Sequence, residues 1–296
     1  MVKAADRDRN PAGSSVWLER RAARTGGGPA GLDRDRIVAA SVRMLDRDGL
    51  AKLSMRRLAA ELGVTAMSLY WYVDTKDDII EYAIDTVYGE IGLAAVDEGR
   101  DWRERLRTLA LQYRRMLVRH PWMSPCAGQY LNIGPNAIAV GAKIQETIAA
   151  TGLPLSRRPS AMSAVFQFVY GYGTIEAQFG RRAAEAGMDS DDFYGASIKA
   201  FRDDPAFMES LQPMVDLLDE RASHGSVSDI WDRDFAFALD LLVAGIEVMV
   251  VRETRETGET EGAREAGETG GAEGARETGE AEGAPEARGT DGAPEA

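Results

Sequence analysis

The sequence predicts an all-α fold, with a small three-helix unit near the N-terminus and a larger helical bundle behind it. Apolar residues recur three and four positions apart through most of the chain, the period of helices with one buried face. No segment alternates with a period of two for long enough to form a strand. The stretch from Met55 to Tyr72 (MRRLAAELGVTAMSLYWY) meets, in register, the steric needs of two helices crossing through a tight turn.

Taken in order, residues 1–31 hold six Lys/Arg against three Asp/Glu and the breaker run Gly26-Gly27-Gly28-Pro29. They read as a disordered basic arm. Asp33 starts the first helix, with Ile37, Ala40, Ser41, Met44 and Leu45 on one face and a stop at Asp48-Gly49. Ser54 is placed to cap a second helix running to Leu62, and Thr65 a short third one ending near Tyr72. Between them Gly63 sits where the turn needs a positive φ, which glycine adopts without a Cβ penalty. Ala59 is small enough for a close crossing, and Leu58, Leu62, Val64 and Leu69 fall at the positions to be buried. After Asp74-Thr75-Lys76, residues Ile79, Ile80, Ala83, Ile84, Val87 and Ile91 mark a helix of about twenty residues, on the order of 30 Å long.

Further helices are expected over about 101–120, 135–151, 157–187, 204–222 and 228–252, with shorter pieces near 122–130 and 190–201. Pro121, Pro125, Gly134-Pro135, Gly152-Leu153-Pro154 and Asp203-Asp204-Pro205 separate them. From residue 253 the chain repeats Glu, Thr, Gly, Ala and Arg with almost no aliphatic content, and an acidic disordered tail is expected over 253–296. The domain plan is therefore a basic arm (1–31), a helix-turn-helix unit (32–76), a regulatory and dimerisation domain (77–252) and the tail.

The net charge of −13 is unevenly spread. Residues 253–296 carry 13 Asp/Glu and 4 Arg, or −9, whereas residues 33–76 carry 8 Lys/Arg against 6 Asp/Glu, or +2. Positive charge gathers at the end that holds the helix-turn-helix, as a phosphate-facing surface requires. Cys126 is the only cysteine, and His120 and His224 are the only histidines, so neither an internal disulfide nor a thiol or multi-His metal cluster is available. No cofactor and no metal are expected. No apolar run spans a membrane and no signal-peptide core opens the chain, so a cytoplasmic protein without a membrane partner is expected. No Ser/His/Asp arrangement, HExxH motif or phosphate-cradling glycine loop is present, so no enzymatic activity is expected.

A helix-turn-helix sends the N-terminal residues of its second helix to base edges in the major groove. Here those are Thr65, Ala66, Met67 and Ser68: hydroxyls for several bases, and apolar groups suited to thymine methyls. Arg56 is able to grip a guanine bidentately. Ser54, Tyr70, Trp71, Tyr72 and Lys76 flank that turn as polar-tipped or cationic groups suited to phosphate.

Gly49 to Asp85 (GLAKLSMRRLAAELGVTAMSLYWYVDTKDDIIEYAID) resembles the DNA-binding domain of the TetR family of bacterial transcriptional regulators. The block from Ser68 to Val73, with Lys76, is especially similar to the tetracycline-repressor branch. The resemblance implies a three-helix DNA-binding domain, a fourth helix leading to an all-α regulatory domain, and a homodimer on a palindromic double-stranded DNA operator. It also implies that Arg56 meets a guanine, that Ala66 and Met67 meet bases, and that Ser54, Tyr70 and Lys76 hold backbone. A weaker likeness runs through RHPWMSP (Arg119–Pro125), the GPNA run (Gly134–Ala137) and Phe166–Phe179.

Such regulators hold a small-molecule effector among the C-terminal helices. Trp122, Met123, Gln129, Tyr130, Asn136, Met162, Phe166, Tyr170 and Glu176 offer apolar walls and polar pins for one. Where the tetracycline repressor uses histidine to hold a magnesium–drug complex, this chain reads Cys126-Ala127-Gly128. Dimerisation is expected through helices 157–187 and 228–252. Gly171, Gly173, Ala177 and Gly180 allow close approach, and Leu239, Leu242, Val243, Ile246 and Met249 form an apolar stripe that serves equally as intramolecular core. The function expected is a ligand-released repressor. An activator would use the same DNA contacts, and an all-α small-molecule carrier or enzyme is the alternative from another class.

Overall fold

A computed structural model describes residues 15–18, 31–99, 101–205, 208–209, 215, 220 and 225–273. The described residues are helical apart from turns and connecting loops. Ten α-helices can be followed: α1 (Arg34–Asp48), α2 (Met55–Leu62), α3 (Ala66–Leu69), α4 (Lys76–Tyr88), α5 (Leu93–Asp97), α6 (Trp102–Arg119), α7 (Pro135–Ala149), α8 (Arg158–Glu185), α9 (Ser190–Arg202) and α10 (Val227–Glu273). Short 3-10 helices lie at Leu50–Lys52 and Pro121–Cys126. The expected helix over 204–222 lies for the most part outside the described residues.

The chain forms two compact units, Met1–Val248 and Met249–Ala296. Within the first, the helix-turn-helix and the helices behind it share one continuous core, from Ile37, Leu58 and Leu69 through Ile79 and Val87 to Leu117 and Val140. The sharing follows from α4, which has buried residues all round its surface and packs on both α1 and α7. Helix starts are fixed by side chains that satisfy orphan backbone N–H groups. The Asp33 carboxylate accepts from Arg36 N at 2.7 Å, and Ser54 Oγ accepts from Arg57 N at 3.3 Å. Thr75 and Asp78 cap α4 reciprocally, each side chain accepting from the other's backbone N–H.

Three expectations need correction. Ser15–Leu18 is not part of a disordered arm: Val16 is buried, the Trp17 ring meets Tyr82 edge-on at 5.1 Å, and Ser15 Oγ and Val16 N both donate to Glu81. Two apolar side chains and one satisfied carboxylate suffice to dock a segment whose average composition reads as floppy.

The helix from Lys76 stops at Tyr88, so it has 13 residues rather than about twenty; Gly89 ends it, and Ile91 packs from the turn beyond. The last helix continues to Glu273, so 253–273 is helical where disorder was expected. Glu, Ala and Arg are good helix formers, and Arg252 Nε donates to Glu256 Oε1 one turn on at 2.8 Å.

Leu239, Val243 and Ile246 are buried, as are Gly173 and Ala177, so the chain uses them as core, one of the two roles the sequence left open. A Cβ on Gly173 would stand 3.1 Å from Leu117, so these small residues let α8 approach α6 within the chain.

Candidate nucleic-acid interface and effector cavity

The helix-turn-helix is built as its sequence requires. Gly63 takes φ 68°, and it and Val64 return their N–H groups to Ala60 and Ala59, closing α2. Leu58, Ala59 and Leu69 are buried, while Leu62 and Val64 are half-buried and pack against the core. Leu69 is the fully buried residue of the short α3, and Ala66 packs partly against the same core. Met67 is 71% exposed, Tyr70 41% and Trp71 49%; Thr65 is exposed, Ala66 and Ser68 are half-buried. Arg56 and Ser54 are exposed at the start of α2. Among the expected DNA-facing residues, Ser54, Arg56, Thr65, Met67, Tyr70 and Trp71 are exposed, and Ala66, Ser68, Tyr72 and Lys76 are half-buried.

Several have prior commitments. Thr65 Oγ1 accepts from Ser68 N, and the two hydroxyls lie 2.9 Å apart, so each has an intramolecular partner. Ser54 is the α2 cap. Tyr72 is half-buried, as the helix-turn-helix template requires of that position, and donates its hydroxyl to the Leu32 carbonyl. Lys76 Nζ donates to the Leu50 carbonyl at 3.2 Å. Arg57, exposed like Arg56, is tied to Asp48 at 2.9 Å and to the Lys52 carbonyl.

Behind the head, α4 is held by the regulatory helices at three points. Tyr130 Oη donates to Asp77 at 2.9 Å. The buried Asp85 carboxylate accepts from Ala137 N at 3.0 Å and Asn136 Nδ2 at 3.1 Å, capping α7 from the side of α4. Tyr88 Oη lies 3.3 Å from Tyr113 Oη of α6. A fourth tie reaches α1: buried His120 bridges Asp46 (Nδ1, 2.7 Å) and Glu90 (Nε2, 3.1 Å), and Trp122 Nε1 also donates to Asp46 at 2.7 Å. Burial works against a charge on His120, but its hydrogen bonds to Asp46 and Glu90 prevail and raise its pKa above the ordinary imidazole range.

A cavity of about 50 Å³ opens between α6, α7 and α8; Leu106, Ala110, Tyr113, Val140, Ile144 and Val169 are among its walls. Of the nine effector-site residues expected from sequence, Met162 and Phe166 line it, and Tyr170 stacks on Phe166 at 5.8 Å. The other six do not. Trp122 and Met123 are core residues at the head–bundle junction, Asn136 is the Asp85 partner, and Gln129 and Tyr130 border a separate polar recess with Asp77 and Glu81. Glu176 forks the buried Arg114 guanidinium, which also reaches Asp232 at 2.8 Å and so ties α6 to α8 and α10. The missed walls had a sequence signal: Leu106, Leu109, Ala110 and Tyr113 fall at i, i+3, i+4 and i+7 on α6.

A helix-turn-helix head with an outward recognition surface, coupled through one helix to a bundle with an internal cavity, defines a DNA-binding regulator of two-part helical build. Residues 37–83 match the family model for bacterial regulatory proteins of the tetR family, and residues 95–250 that for the tetracyclin repressor-like C-terminal domain. The chain belongs to the TetR family of transcriptional regulators. An HTH-type transcriptional regulator of Saccharopolyspora erythraea is 40% identical over 159 residues, 54% of this chain and 66% of that one, just short of two thirds of its length. The HTH-type transcriptional repressor DrrR1 of Streptomyces coeruleorubidus is 30% identical over 76% of this chain and 81% of that repressor. The crystal structure of ActR from Streptomyces coelicolor in complex with actinorhodin superimposes with a TM-score of 0.57 at 25% identity, covering 75% of this chain and 99% of that one. Among the described residues, no helix is long and apolar enough to cross a membrane.

Proposed function

We propose that this chain is a homodimeric repressor that holds a palindromic operator through α3 and leaves it when a small molecule fills the cavity between α6, α7 and α8. The observation that carries this reading is the exposure of α3 and the turn after it: Leu69 is buried while Met67, Tyr70 and Trp71 are exposed, as is Arg56 of α2. Thr65, Ala66, Met67 and Ser68 then read base edges, Arg56 takes a guanine, and Ser54, Tyr70 and Trp71 hold phosphates. Lys76 adds charge near the backbone, whereas Tyr72 acts by bracing the head. Repression and effector binding draw support from DrrR1, a repressor by name, and from ActR, whose structure holds actinorhodin.

Two recognition helices must sit about 34–36 Å apart to enter successive major grooves. The cavity wall α7 takes its N-terminal cap from Asp85 of α4, and Tyr113 in the cavity touches Tyr88 of α4. An effector that spreads α6 from α7 therefore pulls on α4 and changes the separation of the two heads, by no more than its differential affinity for the two states. In this reading the second copy packs on the outward face of α10, where Phe237, Leu241 and Val248 are 67%, 60% and 66% exposed.

Capturing fragments of the source genome on the purified chain, followed by footprinting, tests the reading. A protected palindrome is expected. Arg56→Ala is expected to weaken it by about 1–3 kcal/mol, roughly ten- to a hundredfold, with relaxed preference at the guanine it contacts. Binding that neither Arg56→Ala nor Tyr70→Ala alters would overturn the reading.

A further inference from the structure

We propose that the cavity selects an uncharged, largely apolar ring compound and rejects an anion built on the same rings; this rests on the assignment of the cavity as the effector site. The residues that line it are aliphatic, aromatic or Met, and none is charged. Its one hydroxyl, on Tyr113, faces Tyr88 at 3.3 Å, long for an O–H···O bond and so open to replacement by a single polar group on the ligand. Burial pushes the Tyr113 phenol well above its ordinary range, so it offers a neutral O–H.

The neighbouring charges are already matched elsewhere. Arg114, next along α6, turns to Glu176 and Asp232; Lys143 of α7 turns to Asp97 and Glu146; Arg105 turns to Glu146 and the Gly99 carbonyl. A charged ligand would have to shed its water and find no counter-ion, which no apolar contact repays. Flat rings fit the wall itself: Tyr113 meets Phe166 edge-on at 5.6 Å, and Phe166 stacks on Tyr170. A third ring inserted beside Phe166 extends an aromatic run already present.

Two fluorescent probes isolate the charge. N-phenyl-1-naphthylamine and 1-anilinonaphthalene-8-sulfonate share one ring system, and the second adds a sulfonate. Both are titrated into the full chain and into two cavity-filling variants on facing helices, Ala110→Trp and Ile144→Trp; the signal lost in both variants is the cavity's. The neutral probe is expected to give that signal, and the sulfonate to bind there on the order of 100-fold more weakly. Met162→Arg, which supplies the missing counter-charge from a half-buried position on α8, is expected to recover the sulfonate, a gain that no folding defect imitates. Equal cavity signals from the two probes would overturn the selectivity while leaving the effector site in place, as would Met162→Arg without gain. A neutral-probe signal untouched by both filling variants, or no uptake of it, would overturn the site assignment and the inference together.

Discussion

At the scale of single residues, the neighbours of a side chain decide whether it is available for function or spent on structure. Tyr70 and Tyr72 look equivalent in the sequence, yet Tyr70 is exposed while Tyr72 is half-buried and bonded to the Leu32 carbonyl. Glu176 suggested a polar pin and is one half of a fork on Arg114. Such partners come from segments 40 and 62 positions away, which no local pattern reveals.

His120 gives the residue-scale prediction. Its pKa is raised in the folded chain, so the stabilisation it gives is complete below the ordinary imidazole pKa and is lost as pH rises through the raised value. His120→Gln is expected to lower stability by about 1.5–3 kcal/mol at acidic pH, the worth of a charge-assisted hydrogen bond. The gap from the parent chain is expected to narrow as pH rises, measured by urea unfolding at a series of pH values. A gap that widens with pH would mean that His120 is held neutral.

At the scale of elements, what the sequence made legible was local chemistry. Asp33, Ser54 and Thr65 cap the helices they precede, Gly63 takes the positive φ its turn needs, and the first helix buries every residue assigned to its inner face. These devices act within a few positions, so spacing alone exposes them. The Ser15–Leu18 segment was not legible because its order comes from Glu81 and Tyr82 of α4, more than sixty positions on.

The GPNA run shows a local signal whose meaning is tertiary. Gly134 precedes α7 at an ordinary negative φ, so backbone freedom is not its purpose. A Cβ there would collide with the Asp85 carboxylate that caps α7. Gly134→Ala is therefore expected to cost about 1–3 kcal/mol by overpacking. Its melting temperature should fall, and a companion Asp85→Ala, which removes the obstacle, should make the second effect smaller than additive. Strictly additive losses would mean that the two residues do not share a contact.

At the scale of the molecule, one core running from the head into the bundle makes α4 part of both. The same scale separates inner from outer stripes on the last helix. Leu239, Val243 and Ile246 are used within the chain, and Phe237, Leu241 and Val248 are left outward. Spacing singled out the stripe of Leu239, Leu242, Val243, Ile246 and Met249, and did not mark Phe237, Leu241 and Val248. Phe237→Glu combined with Leu241→Glu is expected to shift sedimentation at micromolar concentration from dimer to monomer; a dimer that survives both places the interface elsewhere.

The outward face of α3 is the centre of the account, and a tethered cleavage reagent tests it most directly. Burial pushes the Cys126 thiol up to about 12, so it stays protonated and unreactive, and Met67→Cys supplies a single accessible thiol on α3. An iron chelate attached there should cut operator DNA at two clusters about 10–10.5 base pairs apart, centre to centre, or a multiple of that, each in a major groove. Cleavage in the minor groove, or none from a chain that still protects its operator, would contradict the claim that α3 enters the DNA.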